Sequence, residues 1–237
     1  YSQKLRQLVA EVSAAAGDLR HPLINGPTES PRREMLLVIS SDRGLCGAYN
    51  ANLLRKAMEQ VRALRQASRD IALEVSGKKA VAFFRFSRIP VVNRHTIGDK
   101  PKYEEVERIA SRMMEDFTAG KYDAVRVAYM RFESNARQIP TVLQLLPIEP
   151  PAAAKPSAGS DATSHKEGPT ANYEFSPSAE ELMAHLLPLS VKATLFQAFN
   201  DAVVSEQIMR MVAMKAATEN AKDLGRRLRR QYNRARQ

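Results

Sequence analysis

Residues 210–221 read RMVAMKAATENA and lie in a segment with the apolar spacing of a long helix. Apolar residues recur every three or four positions from Val204 to Leu228, as in a stripe that packs against another helix. The middle of the stripe consists of Met and Ala, which allow close approach and adapt to irregular surfaces. Because the other faces are polar and basic, this helix is more typical of a shaft than of an active-site wall.

A second amphipathic helix is predicted at the other end of the chain. Leu5, Leu8, Val12 and Leu19 form one apolar stripe, and His21-Pro22 ends it because the residue before proline avoids the helical region. Residues 21–32 are rich in proline and are predicted to be a loop. Pairing the two terminal helices with each other is the economical way to bury both stripes.

Strands and helices alternate between these two terminal helices, which indicates an α/β fold with a small doubly wound, Rossmann-like sheet. Unbroken or alternating apolar runs predict strands, and apolar spacings of three or four predict helices. The predicted strands are 35–40, 71–75, 89–92, 124–132 and 140–146, and the predicted helices are 54–64, 78–86 and 106–117.

Composition divides the chain into four parts. We expect an N-terminal coiled-coil helix at 1–20, an α/β domain at 33–147, a flexible loop at 148–171 and a C-terminal segment at 172–237 that is mostly a long coiled-coil helix. The loop is rich in Pro, Ala, Ser and Gly, which cannot build a core. Ser178 and Glu181 form a capping box, and Pro188 is expected to kink or interrupt the last helix.

Charge and cysteine content limit the possible functions. The net charge of +10 favours acidic partners, whether a protein surface, a nucleic acid or a membrane surface. The single Cys46 excludes an internal disulfide and fits a reducing compartment. No signal peptide is visible, and no apolar run approaches the roughly 20 residues of a membrane span. The chain begins at Tyr1 in helical register, so we expect it to be cut at its N-terminus.

Residues 41–47, SDRGLCG, follow a predicted strand and precede a predicted helix, where open α/β sheets bind phosphates. As a nucleotide motif the segment is weak, because it lacks the third glycine of a dinucleotide fingerprint and no Walker A motif occurs. A tight turn or contact loop is the favoured interpretation. An α/β enzyme that uses this turn stays an alternative, although no converging acid, base and nucleophile is visible.

Other reactive side chains give no catalytic pattern. Cys46 could be a nucleophile at a helix start, but it lacks a positioned base, so a small buried or semi-buried thiol is favoured. The four histidines are scattered, and none has metal-ligand spacing. The acidic residues between Asp99 and Glu107 fit a solvated helix start. We therefore expect no cofactor, no metal, no small-molecule substrate and no binding or hydrolysis of ATP by the chain alone.

The C-terminal arginines between Arg226 and Arg236 leave three interpretations open. They could bind nucleic acid phosphates, form a solvated helix face, or contact an acidic protein partner. Interleaved aromatic residues are lacking except for Tyr232. A nucleic-acid-binding α/β protein is thus the second alternative.

Two motifs carry a family resemblance. The C-terminal helix of the gamma subunits of F-type ATP synthases is closely resembled by one stretch of this chain. That stretch comprises Ser205-Glu206-Gln207, the RMVAMKAATENA segment at 210–221 and YNRARQ at 232–237. SSDRGLCGAYN at 40–50 resembles the strand-to-helix loop of the same family, and the resemblance covers nearly the whole chain. Family members continue beyond the position of Gln237. Ala48-Tyr49 departs from the usual loop, which we expect to alter only loop detail.

The resemblance implies that the two long terminal helices pair as an antiparallel coiled coil, with the α/β domain inserted between them. It also implies a rotor subunit of the central stalk that is not itself an enzyme. Implied partners are the alpha and beta subunits of the catalytic head, the epsilon subunit and the membrane c-ring, with no nucleic acid. The implied location is the cytoplasmic face of a bacterial inner membrane, with an organellar membrane as the alternative. Partner contacts are implied for Arg43, Gly44, Leu45, Cys46, Arg210, Met211, Met214, Lys215 and Asn220.

Local ion pairs are the competing explanation for two of these positions. Arg210 could pair with Glu206, and Lys215 with Glu219, four residues away on the helix surface. Met209, Met211, Met214 and Val212 fall on several faces, more than one partner helix can bury, so some should contact a third body.

Overall fold

The computed structural model describes residues 21–26, 32–148 and 179–237, in which strands and helices alternate as predicted. In chain order the elements are α1 (Pro22–Asn25), β1 (Arg33–Ile39), α2 (Tyr49–Gln66), β2 (Asp70–Ser76), α3 (Lys78–Phe86), β3 (Asn93–His95), α4 (Tyr103–Thr118), β4 (Ala124–Ser134), β5 (Arg137–Leu146) and α5 (Ala179–Arg236). The predicted α/β class is confirmed.

The strands form one five-stranded mixed sheet in the order β3-β2-β1-β4-β5. β2 and β3 are parallel. β1 and β2 end at the same edge of the sheet, since the N–H of Ser40 donates to Ser76 O at 2.8 Å. β1 and β4 begin at the same edge, since the N–H of Asp123 donates to Arg33 O at 2.8 Å. β5 follows β4 after a turn too short for a parallel connection, so it is antiparallel. The strand order therefore reverses between β1 and β4.

Burial follows the sequence pattern. β1 is the unbroken apolar run, and all of its residues after Arg33 are buried, as expected for a strand covered on both faces. Helices α2 and α4 each bury a single stripe. In α2 the stripe includes Leu53, Leu54, Ala57, Val61 and Leu64, and in α4 it is Val106, Ile109, Ala110, Met113 and Phe117.

The predicted strand at 89–92 is wrong, because β3 begins only at Asn93. Pro90 has no N–H and cannot donate to a strand ladder. Pairing with β2 starts at Val92, whose N–H donates to Leu73 O at 2.8 Å. The short helix predicted at 78–86 is confirmed as α3.

The loop predicted at 21–32 contains the four-residue helix α1, which corrects that prediction. Pro22 occupies the start of the helix, where its missing N–H costs nothing. His21 Nδ1 accepts a hydrogen bond from the Leu23 N–H at 3.2 Å. Burial lowers the pKa of His21, which keeps this ring nitrogen available as an acceptor.

Several sequence predictions lie outside the described residues. They are the N-terminal helix at 1–20, the loop at 148–171 after its first residue and the capping box at Ser178. The pairing of the two terminal helices and the four domain boundaries consequently stay predictions.

α5 has 58 residues and continues through Pro188, so the proline does not interrupt it. At roughly 1.5 Å per residue the helix is about 87 Å long. By length and composition it is also apolar enough to cross a membrane, in contrast to our expectation from the apolar runs. Core helices of globular proteins share this length and composition, and 44% of the apolar window is buried within the protein.

The described residues fall into two compact units. One contains the part of the chain up to Glu34 together with Lys102–Arg126 and Gln144–Gln197. Within this unit, Lys192 Nζ lies 2.7 Å from a Glu107 carboxylate oxygen and Arg126 Nε lies 2.7 Å from the buried Glu34 carboxylate.

The other unit contains Met35–Pro101, Val127–Leu143 and Ala198–Gln237. Its hydrophobic core is formed by β1, β2, α2 and α3 with residues of β4, and Met209 of α5 packs against it. Both sequence motifs belong to this unit.

Candidate functional site: the contact loop and the C-terminal helix

The contact loop (residues 40–48) connects β1 to α2, and its first residue is fixed from several sides. Ser40 Oγ donates to Ser76 O at 3.0 Å and accepts from the Ala80 N–H at 2.9 Å. Gly77 has a φ of +95°, and a Cβ at this position would lie 2.2 Å from Ser40 O. Only glycine fits there, so the end of β1 is held tightly against the β2–α3 turn.

The interior of the contact loop is a small polar cluster. Asn50 Nδ2 donates to Ser41 Oγ at 2.7 Å and to Cys46 Sγ at 3.2 Å. Ser41 Oγ lies 2.7 Å from Arg43 O, to which it can donate. Cys46 is 2% exposed, so the prediction of a small buried thiol is confirmed.

The tip of the contact loop points outward. Leu45 has a φ of +62°, which is uncommon for a residue with a side chain, and 73% of its surface is exposed. Arg43 forms an ion pair with Asp99, and both side chains are at the surface. The cluster inside the loop thus presents an apolar side chain and an arginine to the outside.

The backbone groups that a nucleotide loop would offer to phosphate are already used by the protein. The first turn of α3 begins beside the carboxyl ends of β1 and β2, where phosphates bind in this class of sheet. Its N–H groups at Lys78, Lys79 and Ala80 donate to Asp42 Oδ1, Ser41 O and Ser40 Oγ at 2.9, 3.1 and 2.9 Å. This arrangement favours a contact loop over a phosphate-binding loop.

α5 lies against the contact loop. Ser205 is buried, and its hydroxyl donates to Met130 O of β4 at 3.4 Å. The position that a Cβ on Gly47 would take is 3.9 Å from both Met209 O and Ala213 Cβ. The helix therefore covers the carboxyl edge between β1 and β4, the crevice in which doubly wound sheets hold their ligands.

Arg210 joins the helix to the loop. Its guanidinium lies 2.5 Å from the Glu206 carboxylate and 2.9 Å from Gln207 Oε1, and it reaches Gly44 O at 3.5 Å. The local Glu206–Arg210 pair is therefore present. The contact with Gly44 could not be found from the sequence, because the two residues are 166 positions apart.

Tyr49 is a core residue, which corrects our expectation that Ala48-Tyr49 changes only loop detail. It is 1% exposed, whereas Ala48 is at the surface. Burial raises the pKa of the Tyr49 phenol well above its ordinary value, and Glu206 and Cys46 raise it further, so the hydroxyl stays protonated.

Beyond Arg210 the predicted contact residues of α5 are exposed. Met211 and Met214 are 62% and 37% exposed, and Lys215 and Asn220 are also at the surface. Lys215 has neither an ion pair nor a side-chain hydrogen bond within the described part of the chain, so the local pair with Glu219 is not formed.

A buried hydrogen-bonded pair between a histidine and a carboxylate was not predicted from the sequence. His95 Nε2 of β3 lies 2.7 Å from a carboxylate oxygen of Glu74, which is fully buried in β2. The available signal was a single carboxylate inside the otherwise apolar run of β2. Its partner follows only from the pairing of β2 with β3.

Other candidate residues are dispersed. Asp99 and Glu107 have different ion-pair partners, and Glu104 and Glu105 lie in the first turn of α4. Among residues 21–26, 32–148 and 179–237 no group of three His, Cys, Asp or Glu side chains could hold a metal ion. The C-terminal arginines are exposed along α5.

The fold and the contact loop define a mixed α/β protein whose ligand crevice is filled by its own long helix. Solved structures share this fold. A chain in the central stalk and c-ring of the Tetrahymena thermophila mitochondrial ATP synthase has a TM-score of 0.58 and 18% identity, covering 92% of this chain and 99% of that one. A chain in the rotor of the Euglena gracilis mitochondrial ATP synthase has a TM-score of 0.57 and 16% identity, covering 99% and 91%.

Sequence comparison gives the family. The ATP synthase family model matches residues 1–237. The ATP synthase gamma chains of Rhodopirellula baltica and Desulforudis audaxviator are 38% and 36% identical over 240 residues, covering 100% of this chain and 79% of each relative. The chain belongs to the gamma-chain family of ATP synthases. It is accordingly a central-stalk subunit of the membrane-associated complex, as the resemblance implied.

Proposed function

We propose that this chain is the rotor shaft that transmits rotation between an ion-driven c-ring and a head of alpha and beta subunits. The observation that carries the proposal is the division of α5. Its Phe199 is buried and Arg210 contacts the contact loop, whereas nearly every residue from Met211 onward is exposed. Torque applied to the α/β core would thus reach a helix whose exposed end can contact other subunits. The chain performs no chemistry itself.

The shaft acts by population shift. It must contact the different conformations of the beta subunits with different free energies, because a contact of equal strength in every state shifts nothing. The exposed side chains of Met211, Met214, Lys215 and Asn220 provide such contacts. Leu45 and the Arg43 side chain of the contact loop provide others at the base of the head.

Arg210 and Lys215 have different parts in this mechanism. The Arg210 guanidinium is engaged by Glu206 and Gly44 and keeps the helix and loop in register. Lys215 is exposed and reaches acidic loops of the beta subunits. A charge-assisted contact made in one rotary state is worth roughly 1.5–3 kcal/mol, enough to bias which beta conformation is populated.

The remaining partners follow from the position of the α/β domain in the proposed shaft. This domain packs against the epsilon subunit and the c-ring, and the complex faces the cytoplasm at a bacterial inner membrane. Support for the bacterial location comes from the bacterial gamma chains among the relatives.

The proposal is tested by Lys215→Gln in the full complex. For Lys215→Gln we expect lower ATP synthesis or weaker coupling to ion flow, with normal assembly. Lys215→Arg keeps the positive charge and should show a smaller defect at low ionic strength. Lys100→Gln, which removes the same charge from an exposed loop, is the matched control. Wild-type synthesis and coupling in Lys215→Gln at every ionic strength would remove Lys215 from the mechanism.

A further inference from the structure

A cationic cavity lies at the carboxyl edge of β2 and β3, and Asp42 of the contact loop forms part of its lining. Its volume is about 320 Å³, near the lower end for small-molecule sites. The polar side chains that line it come from the contact loop, α3, β3 and the residue after β3. They are Asp42, Lys78, Arg85, Arg94, His95 and Thr96.

Three cationic side chains face this cavity. Lys78 and Arg85 are seven residues apart on α3, so they lie on one face of the helix, and Arg94 belongs to β3. Within the described residues, none of these three side chains makes an ion pair or a hydrogen bond.

The acidic groups nearby are already engaged. Asp42 Oδ1 accepts the Lys78 backbone N–H at 2.9 Å, and the Glu74 carboxylate is paired with His95 at 2.7 Å. Because three cations and the single carboxylate of Asp42 line the cavity, it has an excess of positive charge. Three like charges around one cavity repel each other unless an anion lies between them.

We propose that this cavity binds a compact polyanion with at least two phosphoryl groups. Arginine guanidinium groups match phosphate oxygens in a two-pronged geometry, and Lys78 adds a third charge. Lys78 and Arg85 originate roughly 10 Å apart along the helix axis, which favours a diphosphate over a single phosphate ion. The phosphoryl groups belong either to a free diphosphate or to a phosphorylated lipid headgroup.

Recognition by side chains alone makes this site different from a nucleotide loop. The N–H groups in the first turn of α3 are used within the protein, so they contribute nothing to the anion. Binding should therefore be weak, independent of any attached nucleoside and strongly reduced by salt.

The experiment is a calorimetric titration of the purified chain with inorganic pyrophosphate at low ionic strength. Vesicles of phosphatidylcholine with and without a phosphorylated inositol lipid form a second arm, read by co-sedimentation. Saturable pyrophosphate binding identifies a free diphosphate, and binding only to the phosphorylated vesicles identifies a headgroup. Absence of binding in both arms overturns the proposal.

Variants locate the site. Arg85→Gln and Arg94→Gln should each weaken binding about tenfold, as expected for loss of a hydrogen bond to a charged group. Arg62→Gln removes the same charge from an exposed position on α2 outside the cavity and should leave the affinity unchanged. An equal loss in all three variants would show diffuse electrostatic attraction and overturn the site. Thermal unfolding of each variant checks that the fold is intact.

Discussion

The two ends of α5 are similar in sequence pattern and different in structure. Between Met183 and Ala202 the helix buries an apolar stripe, whereas beyond Arg210 nearly every residue is exposed. Apolar residues recur at spacings of three or four in both parts. Helical periodicity therefore indicates that a face is available for packing but not which partner covers it. Substitutions in the first part should affect folding, and substitutions in the second part should affect recognition.

The largest effect is expected for Phe199→Ala. Phe199 is 1% exposed, and its removal should lower the free energy of unfolding by about 3–5 kcal/mol through lost burial and a cavity. Urea denaturation of the chain measures this change. Met211→Ala, at a position 62% exposed, is the control and should stay within about 0.5 kcal/mol of the wild type. Equal losses of unfolding free energy in the two variants would show that the two parts of α5 do not differ in their contribution to folding.

Arg210→Gln should have an intermediate effect, because Arg210 lies at the boundary between the two parts. We expect the free energy of unfolding to fall by about 1–2 kcal/mol. This is less than for a fully buried hydrogen bond to a charged group, because the Arg210 side chain is partly exposed. A double-mutant cycle with Glu206→Gln isolates the ion pair from the contact with Gly44 O. A coupling energy near zero would assign the whole effect of Arg210 to the loop contact.

Cys46→Ser should cost about 1 kcal/mol of stability, since the serine hydroxyl can still accept the Asn50 N–H but fills less space. ATP synthesis by the assembled complex should stay close to that of the wild type. Loss of nearly all turnover in a correctly assembled complex would give the thiol a role beyond packing.

The smallest effect on folding is expected for Lys215→Gln. The side chain is exposed without a described partner, so the free energy of unfolding should change by less than about 0.5 kcal/mol. The variant that leaves folding unchanged should nevertheless weaken coupling in the complex. A decrease in the free energy of unfolding above about 1 kcal/mol in the isolated chain would show that the Lys215 side chain makes stabilising contacts within the chain itself.

Local pattern was sufficient for most elements but not for their pairing. The apolar run of β1 and the stripes of α2 and α4 were recognisable because each signal lies within one segment. The third strand was predicted too early in the chain, because residues 89–92 are mostly apolar. Pro90 cannot donate a backbone hydrogen bond, so the pairing with β2 starts after it. The core position of Tyr49 was missed because it adjoins an exposed turn.

The candidate site was predictable only in part. The two motifs were visible in the sequence, but the contact between Arg210 and Gly44 depends on the fold that brings distant segments together. The Glu74–His95 pair likewise requires the order of strands in the sheet. Partner contacts at Met211, Met214, Lys215 and Asn220 stay predictions, because exposure alone does not identify a partner.

The two edges of the described sheet have a consequence for the chain before assembly. β3 has only three residues, and β5 contains Pro140, which cannot donate a backbone hydrogen bond to a neighbouring strand. Short edge strands and prolines at an edge discourage the addition of a strand from another chain. Both edges of the described sheet thereby disfavour edge-to-edge aggregation of subunits that are not yet assembled.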